Sequence, residues 1–509
     1  MEAHNAAVER ISATVRAFHV AKAPFRIYHG STLSTRPSPR TKSNTVDISQ
    51  LNHVLSINEK TSTALVEPNV PMDALIAATM PHGFLPPVVM ELPNITTGGG
   101  FAGTSGESSS YRYGTFDCTV KSIEVVLGNG DVITASVDDP ETRDLLFGCA
   151  NACGTLGIVT LLELELIKSK DYVELTYHPV NSASEALQKL QAFEKDPTID
   201  YIDGILYSLT SGVIMTGQLT NSRISGKEPQ TFEKASDPWF YLHAQSILKS
   251  HTDPATPYKE TIPTPSYLFR YDRSVFWSGQ LAFDYFLTPC NALTRWLLDP
   301  FMRTRVVNHA LHRSGLASRG IIQDLGIPYD TSEAFITYIS KTLDFWPLWL
   351  CPVCTPQPLG RASFSMGGQS VALPDVVLDI GVWGMGPENE LQFIKLNRDI
   401  EKKIRDLGGV KCLYAHAYYT EEEFWDIYDE KRYMDLRRKW EAGTLPSVFD
   451  KVKVDLKGVD ATVKESYVGP EAWTKAGWLL AVKGRVWGVY GVLSAVKMML
   501  FGGNFLLKE

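Results

Sequence analysis

The spacing of hydrophobic positions changes several times along this chain, and the changes divide it. Over the first 25 residues Val8, Ile11, Val15 and Phe18 recur at helical intervals, which predicts an amphipathic helix. From 25 to 67 the pattern shortens to strand-like runs at 25–28, 45–48, 53–57 and 63–67, with a polar Ser/Thr/Pro loop at 29–40 after the first. Pro71 then opens a predicted helix that stops near His82 and Gly83. Residues 84–167 form a second α+β unit. Strands at 122–127 and 132–135 flank Gly128-Asn129-Gly130-Asp131, a strong hairpin signal, and a short helix is expected at 144–150. A glycine turn at 153–157 feeds a strand over 158–167.

Residues 171–395 are rich in aromatics and proline, as in PWFYLH, YLFRYDRSVFW and DFWPLWLCP, and mix strands with helices around a large apolar interior. Residues 389–441 are helical and charged, interrupted by a predicted strand at 409–414 that leads to His416, Tyr418 and Tyr419. Alternation along an extended segment would put Tyr414, His416 and Tyr418 on one face. Thr420 followed by three glutamates is a good helix start, and Glu422 and Glu423 read as helix-start charges. Residues 466–509 interleave tryptophan and aliphatic residues with Lys475, Lys483, Arg485 and Lys497. The longest uncharged run there is too short to span a bilayer, so the segment either lies in a membrane interface or docks on the protein's own core.

One stretch stands apart. Residues 95–110, ITTGGGFAGTSGESSS, hold five glycines among Ser/Thr hydroxyls, between apolar strand-like flanks. No helix or central strand favours that composition. A glycine-hydroxyl loop suits close backbone approach to a phosphate; the bland alternative is a bend between strands. Three separated loops, 29–36, 95–110 and 153–157, offer tight turns that a dinucleotide could share. The G-x-G-x-x-G fingerprint, with its acidic residue on a following strand, is missing.

Composition narrows the field. The chain has 509 residues, enough for two or three domains, and a net charge of −8, which argues against a general nucleic-acid partner. Its seven scattered cysteines point to a reducing compartment, and Cys351 and Cys354, in an apolar run without a second pair, read as core cysteines rather than a metal or redox pair. No metal site is expected. The N-terminus shows no long apolar stretch of the secretory kind.

With these segments in view, the chain from about 25 to 440 resembles the Δ24-sterol reductase (24-dehydrocholesterol reductase) family of the PCMH/vanillyl-alcohol-oxidase-type flavoenzyme superfamily. The resemblance rests on VEPNVPM, GFLPPVVMELPNITTGGGFAGTSGESSS, CGTLGIV, LYSLTSGVIMTG, RSVFW, PLWLCP, LDIGVWG and EEEFWDIYD, in order along the sequence. It implies an α+β protein: a two-subdomain PCMH-type FAD-binding domain at 1–170, a substrate (cap) domain at 171–395, a segment returning to the flavin at 396–465 and the amphipathic tail at 466–509. Some enzymes of that superfamily link FAD through a first-loop histidine, but His29 precedes the glycine turn, so non-covalent FAD is expected, with His29 an ordinary loop residue. The FAD contacts would be Gly30, Ser31 and Thr32 in the first loop, Thr97, Gly98, Gly99, Gly103, Thr104, Gly106 and Ser109 in the second, and Gly157 and Val159 in the third. The reaction implied is NADPH-driven reduction of the C24–C25 alkene of a sterol side chain, with Tyr414, His416 or Tyr418 supplying the proton. Arg270 and Arg273 are candidates for a flavin or nicotinamide phosphate, or for structural ion pairs. The alternative on the same scaffold is a flavin oxidase or an ene-reductase of another apolar metabolite. Three departures stand out: the first loop, YHGSTLSTR, differs from the animal pattern, His416 occupies a place where an acidic residue is expected, and the family's N-terminal membrane anchor is not recognisable. The tail is expected to substitute by peripheral association, on the cytoplasmic face of the endoplasmic reticulum or in the cytoplasm.

Overall fold

In the computed structural model, residues 1–30, 41–103, 105–251, 257–356, 362–366, 372–454 and 488–500 are described. The predicted first helix spans Glu2–Val20 and buries Val8, Ile11 and Val15, with Phe18 half-buried at the edge of that face. It packs on Phe25, Ile27, Val46 and Ile48, the last from a pair of parallel strands, Arg26–Tyr28 and Thr45–Asp47, and its continuation. Next comes an antiparallel five-stranded sheet in the spatial order Val54–Asn58, Thr63–Val66, Ile158–Glu165, Val120–Val126, Val132–Ser136. The last two strands are the expected hairpin, closed by the Leu127 amide donating to the Asp131 carbonyl at 2.8 Å. The helix after Pro71 is Met72–Thr79, and the short helix before the glycine turn is Arg143–Cys149.

A second, eight-stranded antiparallel sheet begins at Tyr172. Its order is Tyr258–Pro263, Tyr172–Val180, Ser211–Thr220, Tyr201–Ser208, Leu348–Cys354, Val376–Met385, Gly320–Pro328 and Val410–Lys411. Both faces of this sheet are buried, which explains the near-continuous hydrophobic runs in its strands. Leu206, Leu350, Ile380 and Leu325 lie under the helices Ala183–Phe193, Tyr329–Thr342 and Glu390–Asp406. The alternate positions Ile205, Trp349, Cys351 and Val377 turn toward the N-terminal half and share its core. Residues 413–454 come back across that core. The Tyr433 hydroxyl lies 2.6 Å from Thr155 Oγ1, and the helices Glu421–Ile427 and Glu430–Lys439 cover the glycine turn.

Two expectations fail here. The stretch 95–110 is not a continuous loop: Thr97–Ala102 is a short helix, capped by Thr96, whose side chain accepts from the Gly99 amide at 3.1 Å. Its glycines are there for proximity. A Cβ on Gly98 would lie 2.7 Å from Pro68 Cβ and 2.9 Å from its carbonyl oxygen, and one on Gly100 would lie 2.3 Å from Met90 Cε. Close packing outweighs the low helix propensity of glycine, a penalty of about 1 kcal/mol per residue. The second failure is the strand at 409–414, which is only Val410–Lys411.

The Gly98 contact is with a rigid ring and backbone, so Gly98→Ala is expected to lose about 1–3 kcal/mol of stability in urea unfolding. Gly443→Ala, where an added Cβ meets nothing within 4 Å, is expected to stay within about 0.5 kcal/mol of the parent.

Candidate functional site

A cavity of about 330 Å³ opens between the two sheets. Its floor is the N-terminal half: His29, the 97–102 helix, Gly103, and the turn whose Cys153 and Gly154 both have left-handed backbone (φ 53° and 66°). Its ceiling is the inward face of the eight-stranded sheet, through Asp324, Trp349 and Trp383, together with Phe276 and the helix Thr304–Ser314.

The expected loop residues distribute unevenly. Gly98, Gly99, Gly103, Gly106, Gly157 and Val159 all line the cavity. Gly103 is open toward it: the nearest atom to an added Cβ is Cys153 Sγ at 3.9 Å. Gly106 and Gly157 are instead held close to neighbours, since a Cβ would come within 2.4 Å of Val353 Cγ2 and Val125 Cγ1 respectively. Gly30, with φ 86°, makes the turn after His29 but does not line the cavity. Thr97 and Ser109 are buried away from it. The Thr97 hydroxyl donates to the Glu67 carbonyl at 2.9 Å, and the Ser109 carbonyl accepts from the Arg112 amide at 3.1 Å. Ser31, Thr32 and Thr104 lie outside the described residues.

The two ends of the cavity differ in charge. One end carries Arg26 and Lys451 beside His29 and Asn69. The Lys451 ammonium donates to the Cys153 carbonyl, and burial pulls the Arg26 guanidinium below its usual value, opposed by nearby Asp450. A half-buried cation pair beside glycine backbone suits a pyrophosphate. The cradle of Gly98, Gly99 and Gly103 is open where a bulky planar group would pass, so these residues fit FAD.

The other end is acidic. Glu91, Glu107 and Asp324 line the cavity, with Asp203 and Asp379 behind them, all buried. Arg270 bridges Glu91 at 2.9 Å and Asp203 at 2.8 Å. Glu107, Asp324 and Asp379 have no ion-pair partner among the described residues. Burial pushes the Glu91 carboxyl up to about 7 against the pull of Arg270, and pushes Glu107 and Asp379 well above the usual carboxylate range. Burial also raises Asp324, opposed by its hydrogen bonds from Tyr414, Ser105 and Trp383. A single guanidinium cannot neutralise five buried carboxylates, so this end of the cavity retains protons at neutral pH.

Of the three proton-donor candidates, only Tyr414 reaches the cavity. Its hydroxyl donates to Asp324 Oδ2 at 2.9 Å, and the Trp383 indole donates to Asp324 Oδ1 at 3.3 Å. The expected alternation of 414, 416 and 418 fails because the chain turns. A buried ion pair, Lys411 Nζ to Glu401 Oε1 at 2.7 Å, holds the turn at both ends: Lys411 also donates to the His416 carbonyl, and Glu401 accepts from the Tyr418 amide at 2.9 Å. Tyr418 is thereby turned into the helix-side core against Phe393, with His416 at its edge.

The candidate phosphate arginines are structural. Arg270 is the bridge just described, and Arg273 pairs with Asp299 at 2.6 Å. Neither lines the cavity, and the intervening Asp272 pairs with Arg303 at 3.3 Å. Glu423 completes the Thr420 capping box and pairs with Arg398. Between Arg273 and the ceiling, Ser274, Val275 and Phe276 are three consecutive left-handed residues (φ 73°, 47°, 58°). Each costs ~1–3 kcal/mol. Phe276 is held by stacking on Tyr271 at 4.1 Å, with Trp383 at 4.9 Å.

Sequence reasoning missed Arg26, Lys451, Glu91, Glu107 and Asp324. One signal was available for Asp324 and for the Asp203 and Asp379 behind it, though not for the glutamates: YIDGILYS, GIIQDLGIP and VVLDIGVWG each carry one aspartate inside an apolar strand. Strand alternation puts all three on the face opposite the helices.

A family model described as an FAD binding domain matches residues 5–136. The chain is 30% identical over 439 residues to the Delta(24)-sterol reductase of Arabidopsis thaliana, covering 80% of this chain and 76% of that one. It is 29% identical over 427 residues to the Homo sapiens Delta(24)-sterol reductase, covering 83% and 80%. The Delta(24)-sterol reductase homolog of Caenorhabditis elegans is 24% identical over 427 residues, covering 78% and 77%.

The bridge supplies a stability prediction with a definite sign. A carboxyl whose pKa is raised on folding, as for Glu91, adds stability that is full below the unfolded value near 4.5 and is lost as pH rises through about 7. Arg270→Met leaves Glu91 and Asp203 without their cation. It is expected to cost about 3–5 kcal/mol at pH above 7 and distinctly less near pH 5, where the Glu91 carboxyl is neutral, as read by urea unfolding at both pH values.

Proposed function

Because the chain belongs to the Delta(24)-sterol reductase family, we propose that it reduces a carbon–carbon double bond in the side chain of a sterol, with FAD as its redox group and NADPH as the electron source. That it is an FAD-dependent oxidoreductase follows from the family and the FAD-binding domain. The observation that carries the finer reading is the composition of the cavity. Glycine backbone and cations lie at one end, aromatic and aliphatic side chains form the ceiling, and a tyrosine–carboxyl pair is set in the wall.

In this reading Arg26, Lys451 and the glycines of the floor hold the pyrophosphate of FAD. Bound FAD supplies hydride transfer, chemistry that no side chain offers. The protein's own contribution is threefold. Trp349, Trp383 and Phe276 exclude water and orient an apolar substrate. The 153–157 turn and the 97–102 helix fix the floor against which it lies. Tyr414 holds a proton at its phenolic oxygen. Asp324 accepts from that phenol and orients it, and its buried carboxyl, raised toward the protonated form, is the group from which a proton delivered to an alkene carbon would be replaced. Burial raises the Tyr414 phenol well above its ordinary value, which keeps it protonated at neutral pH.

The overall reading is tested by anaerobic mixing with NADPH. Bleaching of the flavin is expected, followed by reoxidation on addition of a sterol with a side-chain double bond. A flavin that NADPH leaves oxidised sinks the reductase reading, and rapid reoxidation by oxygen alone favours an oxidase. Tyr414→Phe is expected to keep flavin content and the NADPH-driven bleaching while slowing the sterol-dependent step by about 10²-fold or more.

A further inference from the structure

Nine of the thirteen large hydrophobic residues exposed among the described residues fall in two short segments, 287–297 and 489–500. The first contains the helix Ala292–Leu298, which buries none of its side chains and exposes Leu293, Trp296 and Leu297. The second is the helical stretch 488–500, and its pattern is inverted. Small residues face the protein: Ala495 is fully buried, a Cβ on Gly491 would lie 2.5 Å from the Ala310 carbonyl, and one on Gly488 would lie 2.4 Å from the Tyr285 ring. Large apolar residues face outward. Val489, Leu493 and Leu500 repeat at helical spacing, and Leu493 is 62% exposed. The start of this helix lies against Tyr285, two residues before Leu287 in the chain, which ties it to the start of the first segment.

The surroundings are basic on a protein of net charge −8. Across 284–314 and 488–500 the exposed charges are Arg305, Arg313 and Lys497 against Asp284 alone. Outward apolar side chains with a cationic rim match the two layers of a phospholipid surface, acyl chains and anionic headgroups. The described stretch covers about 20 Å, and no helix among the described residues is long and apolar enough to cross a membrane, which suits an orientation in the plane of the interface.

The geometry also connects this face to the cavity. The helix Thr304–Ser314 lines the cavity with Thr304, Val307, Asn308 and Leu311. Its other side carries the 488–500 helix, through His309 to Ser494 at 3.1 Å and Arg313 to the Tyr490 hydroxyl at 2.8 Å. One helix, about 10 Å across, thus separates the exposed apolar face from the cavity.

We propose that segments 287–298 and 488–500 form one docking face for an anionic phospholipid bilayer, set so that an apolar substrate passes from the lipid into the cavity along the Thr304–Ser314 helix. This surface is independent of the electron source and of the substrate's identity. Its test therefore stands whether or not NADPH reduces the flavin.

The full chain is floated with vesicles of phosphatidylcholine and of phosphatidylcholine with phosphatidylserine. Binding to the anionic vesicles is expected, weakened by added salt. The pairs Trp296→Glu with Leu297→Glu, and Leu493→Glu with Leu500→Glu, are each expected to lower the partition coefficient by at least ~tenfold. Melting curves matching the parent show that each variant is folded. A conservative check needs no destabilising change: brominated lipid is expected to quench tryptophan fluorescence in the parent, and Trp296→Phe to remove a distinct part of that quenching. Failure of the parent to float, retained flotation of both folded double variants, or quenching unaffected by Trp296→Phe overturns the proposal. So does a parent that fails to float but forms a dimer that the double variants break, which would assign the face to a second copy.

Discussion

A guanidinium shut away from water persists only where carboxylates meet it at fixed distance, and Arg270 is placed in that way between the two halves of this protein. Glu91 reaches it from the N-terminal half and Asp203 from the eight-stranded sheet, and the Tyr271 hydroxyl and Trp349 indole also donate to Asp203. The rings of Tyr267, Tyr271 and Phe240 surround its cationic head within 4.2–5.1 Å. Moving one sheet along the other would leave charge buried and unmatched, which makes the relative register of the halves discrete instead of continuous. The cavity owes its shape to that register, since its floor and ceiling come from different halves.

The same economy of cations has a chemical side. Arg270 answers two of the five carboxyls and leaves Asp324, Glu107 and Asp379 to hold protons in low-dielectric surroundings. A second buried pair, Lys411 with Glu401, is spent on geometry: it bends the chain so that Tyr414 meets Asp324 while Tyr418 leaves for the opposite core. Charge in this interior therefore does two jobs, aligning the halves and aiming one phenol.

Much of this architecture was legible in the sequence, because it follows from local periodicity. The helical spacing of Val8, Ile11 and Val15, the Gly-Asn-Gly-Asp hairpin and the α+β class all follow from side-chain alternation and turn chemistry. Most of the glycines expected at the cofactor do line the cavity, although the reason inferred for them was incomplete: Gly98 and Gly100 are required by Pro68 and Met90, partners that no local rule names. What stayed hidden depends on long-range pairing. Asp324 and Tyr414 are ninety residues apart, Arg26 and Lys451 more than four hundred, and the turn that spoils the 414–418 alternation is made by Glu401 from another element.

The left-handed run Ser274–Val275–Phe276 gives the ceiling an unusual stiffness. A loop of ordinary backbone settles gradually when its neighbours change, because adjoining φ/ψ basins are close in energy. Three successive non-glycine residues beyond φ 0° have few such basins, and the stacking of Phe276 on Tyr271 closes most of those that remain. The height of the cavity is then a property of one side chain rather than of a loop conformation. The spacing between floor and ceiling at this point therefore depends on which side chain stands at 276, and not on gradual drift of the backbone.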